Sequence, residues 1–499
     1  MELATHETPI KYLRRISFEP MYQEQSAEIV VPDSMPDMDR ILDAYGTVVL
    51  QDKRCENDTL VLSGGIQAGV LYQPEKDDPI QKLEAWLPFS VKKRIECSEG
   101  CFVEQGWLKS IDARLQNTRK VTLRANLGIR LTQLVPEEFQ LVSVDADESA
   151  LQLRRNIYPA YLPVDCADQE FRLQDELTLP ESVPAVARIL KWDVRPNVEE
   201  SRVIGTKAVF KGDVVVEMLY LGTDDSVNTW VGQLPYSQYV ELDGEWPDAD
   251  VAVFPAVTSA QLETDGQMES RTLLIDLGVL AQVCVIDRIE LELTEDAYAV
   301  GGVLTPVWQS VALQPMLDRK STEVFGEIHI PVKAHELVCI TLLPDQPTLR
   351  RDKGEMTLAG GATGSILYRD DAGKLQMKPF RGELSSNAPI CEDCRCVASV
   401  FQTESASGVC RGDEILLRVP VCFRLETYQE QAWQNLSGGS IETTQEQQDG
   451  PSVIVRKFSG GELWEIAKQY GTTMDTIRAA NGLKDNLIDD GVLLLIPMR

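Results

Sequence analysis

VPDSMPDMDRIL, residues 31–42, returns as LPESVPAVARIL at residues 179–190. A shift of 148 residues pairs Glu28 with Glu176, Pro32 with Pro180, Ser34 with Ser182 and Pro36 with Pro184, and sets Arg40, Ile41 and Leu42 on Arg188, Ile189 and Leu190. The same register carries Gly64, Leu71 and Tyr72 onto Gly212, Leu219 and Tyr220, and a second shift of 148 reaches Gly360, Leu367 and Tyr368. A fixed period means that one structural unit has been copied, so the chain is built of modules. Two prolines four apart fix φ and withdraw donors that a strand would need, so the phrase must run extended or turn before its apolar end re-enters a core. A structural lead-in is therefore a better reading than a binding loop. The third copy lacks the phrase: FGEIHIPVKAHELVCITLLP, from residue 325, has Pro331 in place of the pair.

With 499 residues the chain exceeds one core, and at about 100 to 200 residues per domain three or four domains are expected. Apolar content of 43% and charged content of 25% are ordinary for a globular protein. A net charge of −30 argues against a nucleic-acid or anionic-membrane surface, since both repel carboxylates. Residues 453–499 hold six basic and six acidic residues, leaving 42 basic against 72 acidic upstream, so a neutral tail follows an acidic body. MELATHETPIKYLRRISF at the N-terminus has no apolar signal region, and no run of about 18 apolar residues occurs, which predicts a cytoplasmic protein without an integral membrane segment. Eleven scattered cysteines fit reduced thiols better than a disulfide framework. Cys391, Cys394 and Cys396 cluster in CEDCRC, but no second CxxC exists and the histidines are His6, His329 and His335, so structural or incidental thiols are expected rather than a metal site. Asn435 lies in an Asn-Leu-Ser sequon that should remain bare.

Each module reads as strands. Val121, Leu123, Ala125, Leu127, Ile129 and Leu131 alternate strictly, as do Leu273, Ile275, Leu277, Val279 and Ala281, and Ile415, Leu417, Val419, Val421 and Phe423. The turn signals PEKDDP, LGTDDS and RDDAGK each follow the aligned Leu-Tyr pair and predict one hairpin per module at a fixed point. Short strands at regular spacing predict a mainly β chain of tandem β-sandwich or barrel-like modules. After Leu425 the composition turns to ETYQEQAWQNLSGGSIETTQEQQDGPS, which reads as a flexible linker from which the tail hangs at a variable distance.

The last 47 residues change pattern to strand, helix, helix, strand. GELWEIAKQYG places Leu463, Ile466, Ala467 and Tyr470 at helical spacing with Gly471 closing the helix. Thr472, three residues before Asp475, is the predicted N-cap of a second helix that turns Met474 and Ile477 inward and ends at Gly482. Trp464 lies about 100° off the apolar stripe, at the edge of the buried face, where an indole serves equally as a protein-contact anchor or as a partly buried packing residue. These readings divide the chain into a lead-in at 1–24, modules at 25–165, 166–318 and 319–428, a linker at 429–452 and a tail domain at 453–499.

Motifs of catalysis are missing: there is no Gly-x-Ser-x-Gly, His-Glu-x-x-His or Gly-x-x-x-x-Gly-Lys-Ser/Thr, and no carboxylate pair recurs at a fixed place across the repeats. GGATGS at 360–365 aligns with GGIQAG and GDVVVE and reads as strand rather than phosphate loop. Arg411-Gly412-Asp413 precedes a strand and is most simply a turn. No enzyme, metal or cofactor is expected.

Gly460, Leu463, Trp464, Ile466, Ala467, Tyr470, Ile477, Asn481, Gly482, Ile496 and Pro497 give the tail a close resemblance to a LysM domain, a small βααβ fold. EIVVPDSMPDMDRIL and ELTLPESVPAVARIL, each followed by a strand ending in Leu-Tyr, resemble SPOCS modules. Several SPOCS modules ahead of one LysM domain look like the SipL family of clostridial sporulation proteins. That resemblance implies a non-catalytic adaptor in the mother-cell cytoplasm, at the forespore surface, that binds the coat morphogenetic ATPase SpoIVA chiefly through LysM, contacts other coat proteins, and helps the coat encase the forespore. LysM domains also bind peptidoglycan glycans in a groove between the loop before the first helix and the loop after the second, which implies a wall-binding protein as the alternative. The resemblance assigns the partner or glycan surface to Val455, Gly460, Gly461, Glu462, Trp464, Asn481 and Gly482. The usual Gly-Asp-Thr before Leu-Trp is here Gly460-Gly461-Glu462, which removes a capping aspartate and adds charge at the groove's edge.

Overall fold

The computed structural model describes residues 2–75, 79–96, 99–145, 150–267, 269–352, 355–388, 394–443 and 452–498. The first copy of the repeat runs through β1 (Thr5–Ser17), β2 (Met21–Val30), β3 (Met38–Glu56), β4 (Thr59–Pro74), β5 (Gln81–Arg94), β6 (Cys101–Asn117) and β7 (Lys120–Val144). The second is β8 (Leu151–Thr178), β9 (Val186–Pro196), β10 (Glu200–Ile204), β11 (Lys207–Gly222), β12 (Val227–Glu241), β13 (Asp250–Thr264) and β14 (Thr272–Ala299). The third is β15 (Gly302–Leu313), β16 (Met316–Ile330), β17 (Glu336–Pro344), β18 (Thr348–Asp352), β19 (Glu355–Arg369), β20 (Leu375–Asn387), β21 (Arg395–Gln402), β22 (Ser407–Arg411), β23 (Glu414–Tyr428) and β24 (Gln431–Thr443). β25 (Val453–Glu462), α1 (Leu463–Tyr470), α2 (Met474–Asn481) and β26 (Leu487–Pro497) form the tail domain.

Each copy is a β-sandwich, the first of the two predicted alternatives. One sheet orders β3-β4-β5, and its counterparts centre on β11 and β19. The facing sheet centres on β7, β14 or β23, whose alternating residues Val121 to Leu131, Leu273 to Ala281 and Ile415 to Phe423 are all 3% exposed or less. They pack on Leu62, Ile66 and Val70 of β4, on Val214, Val216 and Met218 of β11, and on Leu358, Ala362 and Ile366 of β19. Two inward faces of period two, closed on one another, satisfy both burial and backbone pairing. The repeated glycine has a physical cause. A Cβ on Gly64 would lie 2.1 Å from Val49 O, and one on Gly212 would lie 2.0 Å from Asn197 O, so only glycine admits the approach of the neighbouring strand at these equivalent points. GGATGS lies within β19, and Arg411-Gly412-Asp413 is the turn between β22 and β23.

The proline phrase is the crossing between the two sheets. Met35 N donates to Pro32 O and Val183 N to Pro180 O, closing matched turns. The tyrosine that ends the central strand locks each: Tyr72 and Tyr220 donate to Pro36 O and Pro184 O, both at 3.0 Å. Arg119 and Arg271 bond the same crossings from the facing sheet. Tyr368, whose copy lacks the phrase, is half-buried in the third core.

Three long antiparallel ribbons form a second tier. β1 pairs with the second half of β7, the first half of β8 with the second half of β14, and β15 with β24. The expected domain boundaries therefore fall inside elements: residues 5–17 are a full partner strand rather than a lead-in, and β8 and β16 run through 165/166 and 318/319. Residues 431–443 are likewise strand and not flexible linker; a bulge at Val307/Trp308 breaks the period-two pattern that would have announced it. Residues 444–451 of the expected linker lie outside the described residues. Asn435 is 1% exposed, accepts from Thr294 N and donates to Val142 O, which leaves the sequon inaccessible.

The copies close into a ring about an approximate threefold axis. Leu42 and Leu190 meet with Val338, and Leu71, Leu219 and Leu367 join them in one cluster. Equivalent residues can share a cluster only where the symmetry axis passes. Arg188 donates to Gln81 Oε1 at 2.8 Å, Arg40 to Leu375 O at 2.7 Å and Asn197 to Thr403 O at 3.4 Å, so every copy contacts both others. On the axis Lys191 Nζ lies 2.9 Å from Asp43 Oδ2, which also accepts from Thr341 at 2.7 Å, while Ser365 donates to Oδ1.

A disulfide, Cys101–Cys166, ties β6 to β8, which corrects the expectation of reduced thiols throughout. The two residues are 65 apart in sequence and 6.2 Å apart at Cα, a juxtaposition created by the packing of the first two copies. Cys391 of the CEDCRC cluster lies outside the described residues.

Candidate functional site

The tail domain follows the predicted order, and its helices end where glycine permits. Gly471 and Gly482 adopt φ of 61° and 64°, the left-handed geometry that terminates α1 and α2. Thr472 N returns to Ala467 O and Gly471 N to Lys468 O, so Thr472 completes the end of α1. The N-cap of α2 is accordingly Thr473, whose Oγ1 accepts from Thr476 N at 3.1 Å, and not Thr472. Glu462 caps α1 without a side-chain bond, as expected from loss of the aspartate.

The seven residues assigned to the binding surface separate into three pairs and one residue apart. Gly460 and Gly461 take φ of 84° and 132° in the turn before α1. Asn481 and Gly482 serve the fold: Asn481 donates to Ile477 O and Leu495 O and accepts from Leu495 N, clamping α2 to β26. Glu462 and Trp464 face the body. Arg154 of β8 pairs with Glu462 at 2.9 Å. Trp464 is only 5% exposed; its Nε1 donates to Asp296 Oδ2 at 2.8 Å, and its ring meets Tyr298 edge-on at 4.9 Å. Lys468 reaches the same carboxylate at 2.6 Å, and Tyr298 donates to Thr472 O at 2.9 Å. Burial opposes ionisation of Asp296, but Lys468 and the indole outweigh it and hold the carboxyl below its usual range. The tail is thus docked on the second ribbon rather than hanging free. Sequence reasoning missed Arg154, Asp296 and Tyr298, because nothing in LTEDAYAV marks a strand face that receives another domain.

Val455 is the remaining member, and it is 60% exposed. It belongs to an apolar face that the helices leave uncovered. In the β25–β26 ribbon Val453 opposes Pro497, Val455 opposes Leu495 and Lys457 opposes Leu493. Alternation turns Leu494 and Ile496 into the core while Val453, Val455, Leu493 and Leu495 stand outward at 41 to 66% exposure. A contiguous aliphatic patch rimmed by charge is the surface pattern of a protein contact.

The dock supports a direct expectation. Asp296→Ala leaves the Trp464 N–H and the Lys468 ammonium without their acceptor, a loss of about 1.5 to 3 kcal/mol for hydrogen bonds to a charged group. Hydrogen exchange on the full chain should show protection of 463–470 falling at least tenfold; unchanged protection would mean that this carboxylate does not hold the domain.

Fold and site define a ring of β-repeats carrying a small docked recognition domain. Residues 185–264 match the SipL, SPOCS domain family and residues 462–497 the LysM domain family. The chain thus carries a SipL SPOCS domain and a C-terminal LysM domain, both of non-catalytic families, and the pair supports a sporulation protein with a peptidoglycan-binding type of module. No curated protein and no solved structure matches the chain significantly. No helix among the described residues is long and apolar enough to cross a membrane.

Proposed function

We propose that the protein is a non-enzymatic adaptor of spore-envelope assembly, which binds a SpoIVA-type morphogenetic ATPase through its LysM domain and helps the coat encase the forespore from the mother-cell cytoplasm. The observation that carries this reading is the aliphatic face of the β25–β26 ribbon. Branched aliphatic side chains offer a sugar neither ring stacking nor hydrogen bonds, whereas they suit the apolar core of a protein interface. The glycan groove has meanwhile lost its aspartate, and Glu462 at its edge is engaged by Arg154. The acidic ring presents further docking surfaces for other coat proteins, and one bound module raises the local concentration of the rest.

The LysM family match favours a second reading, binding of peptidoglycan at the cell or spore wall. One experiment separates the two. The full chain is incubated with insoluble peptidoglycan and, separately, with purified SpoIVA-type ATPase. Retention by the ATPase alone is expected, and retention by the glycan alone reverses the order. Leu493→Glu, at an exposed position where the folding cost is small, should lower ATPase capture at least tenfold.

A further inference from the structure

At the level where the sandwiches give way to the ribbons, the threefold axis passes through a second set of equivalent residues. Val103, Ala252 and Val397 meet there with Leu134, Ile286 and Tyr428. Beside them four guanidinium groups, those of Arg15, Arg130, Arg319 and Arg424, surround one carboxylate, Glu426, which is 4% exposed. Arg15 pairs with Glu426 at 2.8 Å, and Tyr428 donates to the same oxygen at 2.9 Å. Arg319 stands 3.4 Å from the other carboxylate oxygen, yet its Nε and Nη2 are buried without a hydrogen-bond partner. Arg130 is 9% exposed and donates to the Gln346 side-chain amide at 3.3 Å. The Arg424 guanidinium lies over the rings of Phe254 and Phe401, at 5.9 and 5.4 Å.

Glu426 is the carboxylate bonded within the cluster and balances one of these four charges, while Glu19 acts on Arg130 from further off. Arginine does not shed its proton in a protein interior, and each uncompensated buried charge costs several kcal/mol. A cluster of excess cations on the axis of a chain with net charge −30 is therefore unaccounted for by the fold. Arg15, Arg130, Arg424 and Glu426 line a cavity of about 20 Å³, room for little more than one small polar group. Gln105, Phe254, Ser399 and Arg424 form a wall common to this cavity and to a chamber of about 350 Å³ between the three copies. Trp107, Phe401 and Pro344 give that chamber an apolar and aromatic side.

We infer that the axial chamber is a binding site for a small organic oxyanion, whose phosphate or carboxylate head meets Arg424 at the shared wall, beside the arginine cluster, and whose apolar or aromatic body occupies the space between the copies. Planar guanidinium forks recognise oxyanions through paired N–H donors, and the aromatic walls select for a body rather than a bare ion. The site is independent of the LysM surface, and because all three copies contribute walls, its ligand would act on the ring as a whole.

Calorimetric titration of the full chain with inorganic phosphate, phenyl phosphate and benzoate tests the inference. One molecule of phenyl phosphate or of benzoate should bind per chain, at least tenfold more tightly than inorganic phosphate, and the tighter of the two identifies the head group. Arg424→Gln should weaken that binding at least tenfold. Ser399→Asp, which brings a carboxylate into the shared wall, should do the same and serves if the arginine variant does not fold. Absence of saturable binding of all three probes at millimolar concentration, or equal binding by wild type and variants, overturns the site.

Discussion

Lys191→Met is expected to lower unfolding stability by about 3 to 5 kcal/mol, because it leaves the Asp43 carboxylate buried on the axis without its cation. The Lys191 and Asp43 side chains are 9% and 5% exposed. Burial alone would disfavour the ammonium, but Asp43 beside it outweighs that and raises the Lys191 pKa. Thr341 and Ser365 of the third copy complete the carboxylate's shell, so the single pair fastens all three copies. Replacing both partners, Lys191→Met with Asp43→Leu, removes the orphaned charge together with its cause and should recover most of the loss. Urea unfolding of the two variants measures both values. A single-variant loss below about 1 kcal/mol would mean that water reaches the pair and screens it.

The second large effect depends on pH. Glu104 on β6 is 4% exposed, and burial pushes its carboxyl up to about 7, with Lys53 opposing the rise and Asp168 adding to it. The neighbourhood is otherwise neutralised: Lys53 pairs with Asp168, and Gln282 bridges Lys53 and the Glu104 backbone. A carboxyl whose folded pKa lies above its unfolded value near 4.5 binds its proton more tightly in the folded chain. Its contribution is therefore most favourable below about pH 4.5, declines as pH rises to about 7, and is constant and unfavourable beyond, a span of about 3 kcal/mol. Glu104→Gln abolishes this dependence. Relative to wild type, the variant should be about 2 to 3 kcal/mol more stable at pH 8 and nearly equal at pH 4.5. Parallel stability curves for the two proteins would show that Glu104 titrates in contact with water.

The strands were legible because their cause is local. A half-buried strand must alternate, and the run from Val121 to Leu131 does so whatever lies around it. The threefold axis was written in the sequence too, but in a form that alternation does not expose. The register that superposes the repeats also superposes Asp43 on Lys191, one carboxylate and one ammonium at the same place in RILDAY and RILKWD. Opposite charges at one repeat position, next to leucines that bury completely, are what a pair across a pseudo-symmetry axis leaves in a sequence. The ribbon strand β24 was hidden for a different reason. Its polar residues suit an edge strand, and its bulge displaces the pattern, so composition alone mimics a linker. The Cys101–Cys166 link and the dock at Asp296 depend on distances between copies that no local pattern encodes. In the tail, Trp464 lies off the helical stripe but is only 5% exposed, because Tyr298, which covers it, belongs to another domain.

Under the proposed function, these contacts leave the ribbon rather than the first helix as the recognition surface of the tail. Trp464, the most conspicuous candidate, is occupied by the body, while Val455 and Leu493 are open. The affinity of the full chain for purified SpoIVA-type ATPase, measured for wild type, Val455→Glu with Leu493→Glu, and Trp464→Phe, tests this most directly. Loss of binding by at least tenfold in the ribbon variant, with the indole variant within about twofold of wild type, is the predicted result. Undiminished binding by the ribbon variant, or its transfer to peptidoglycan alone, would contradict the account.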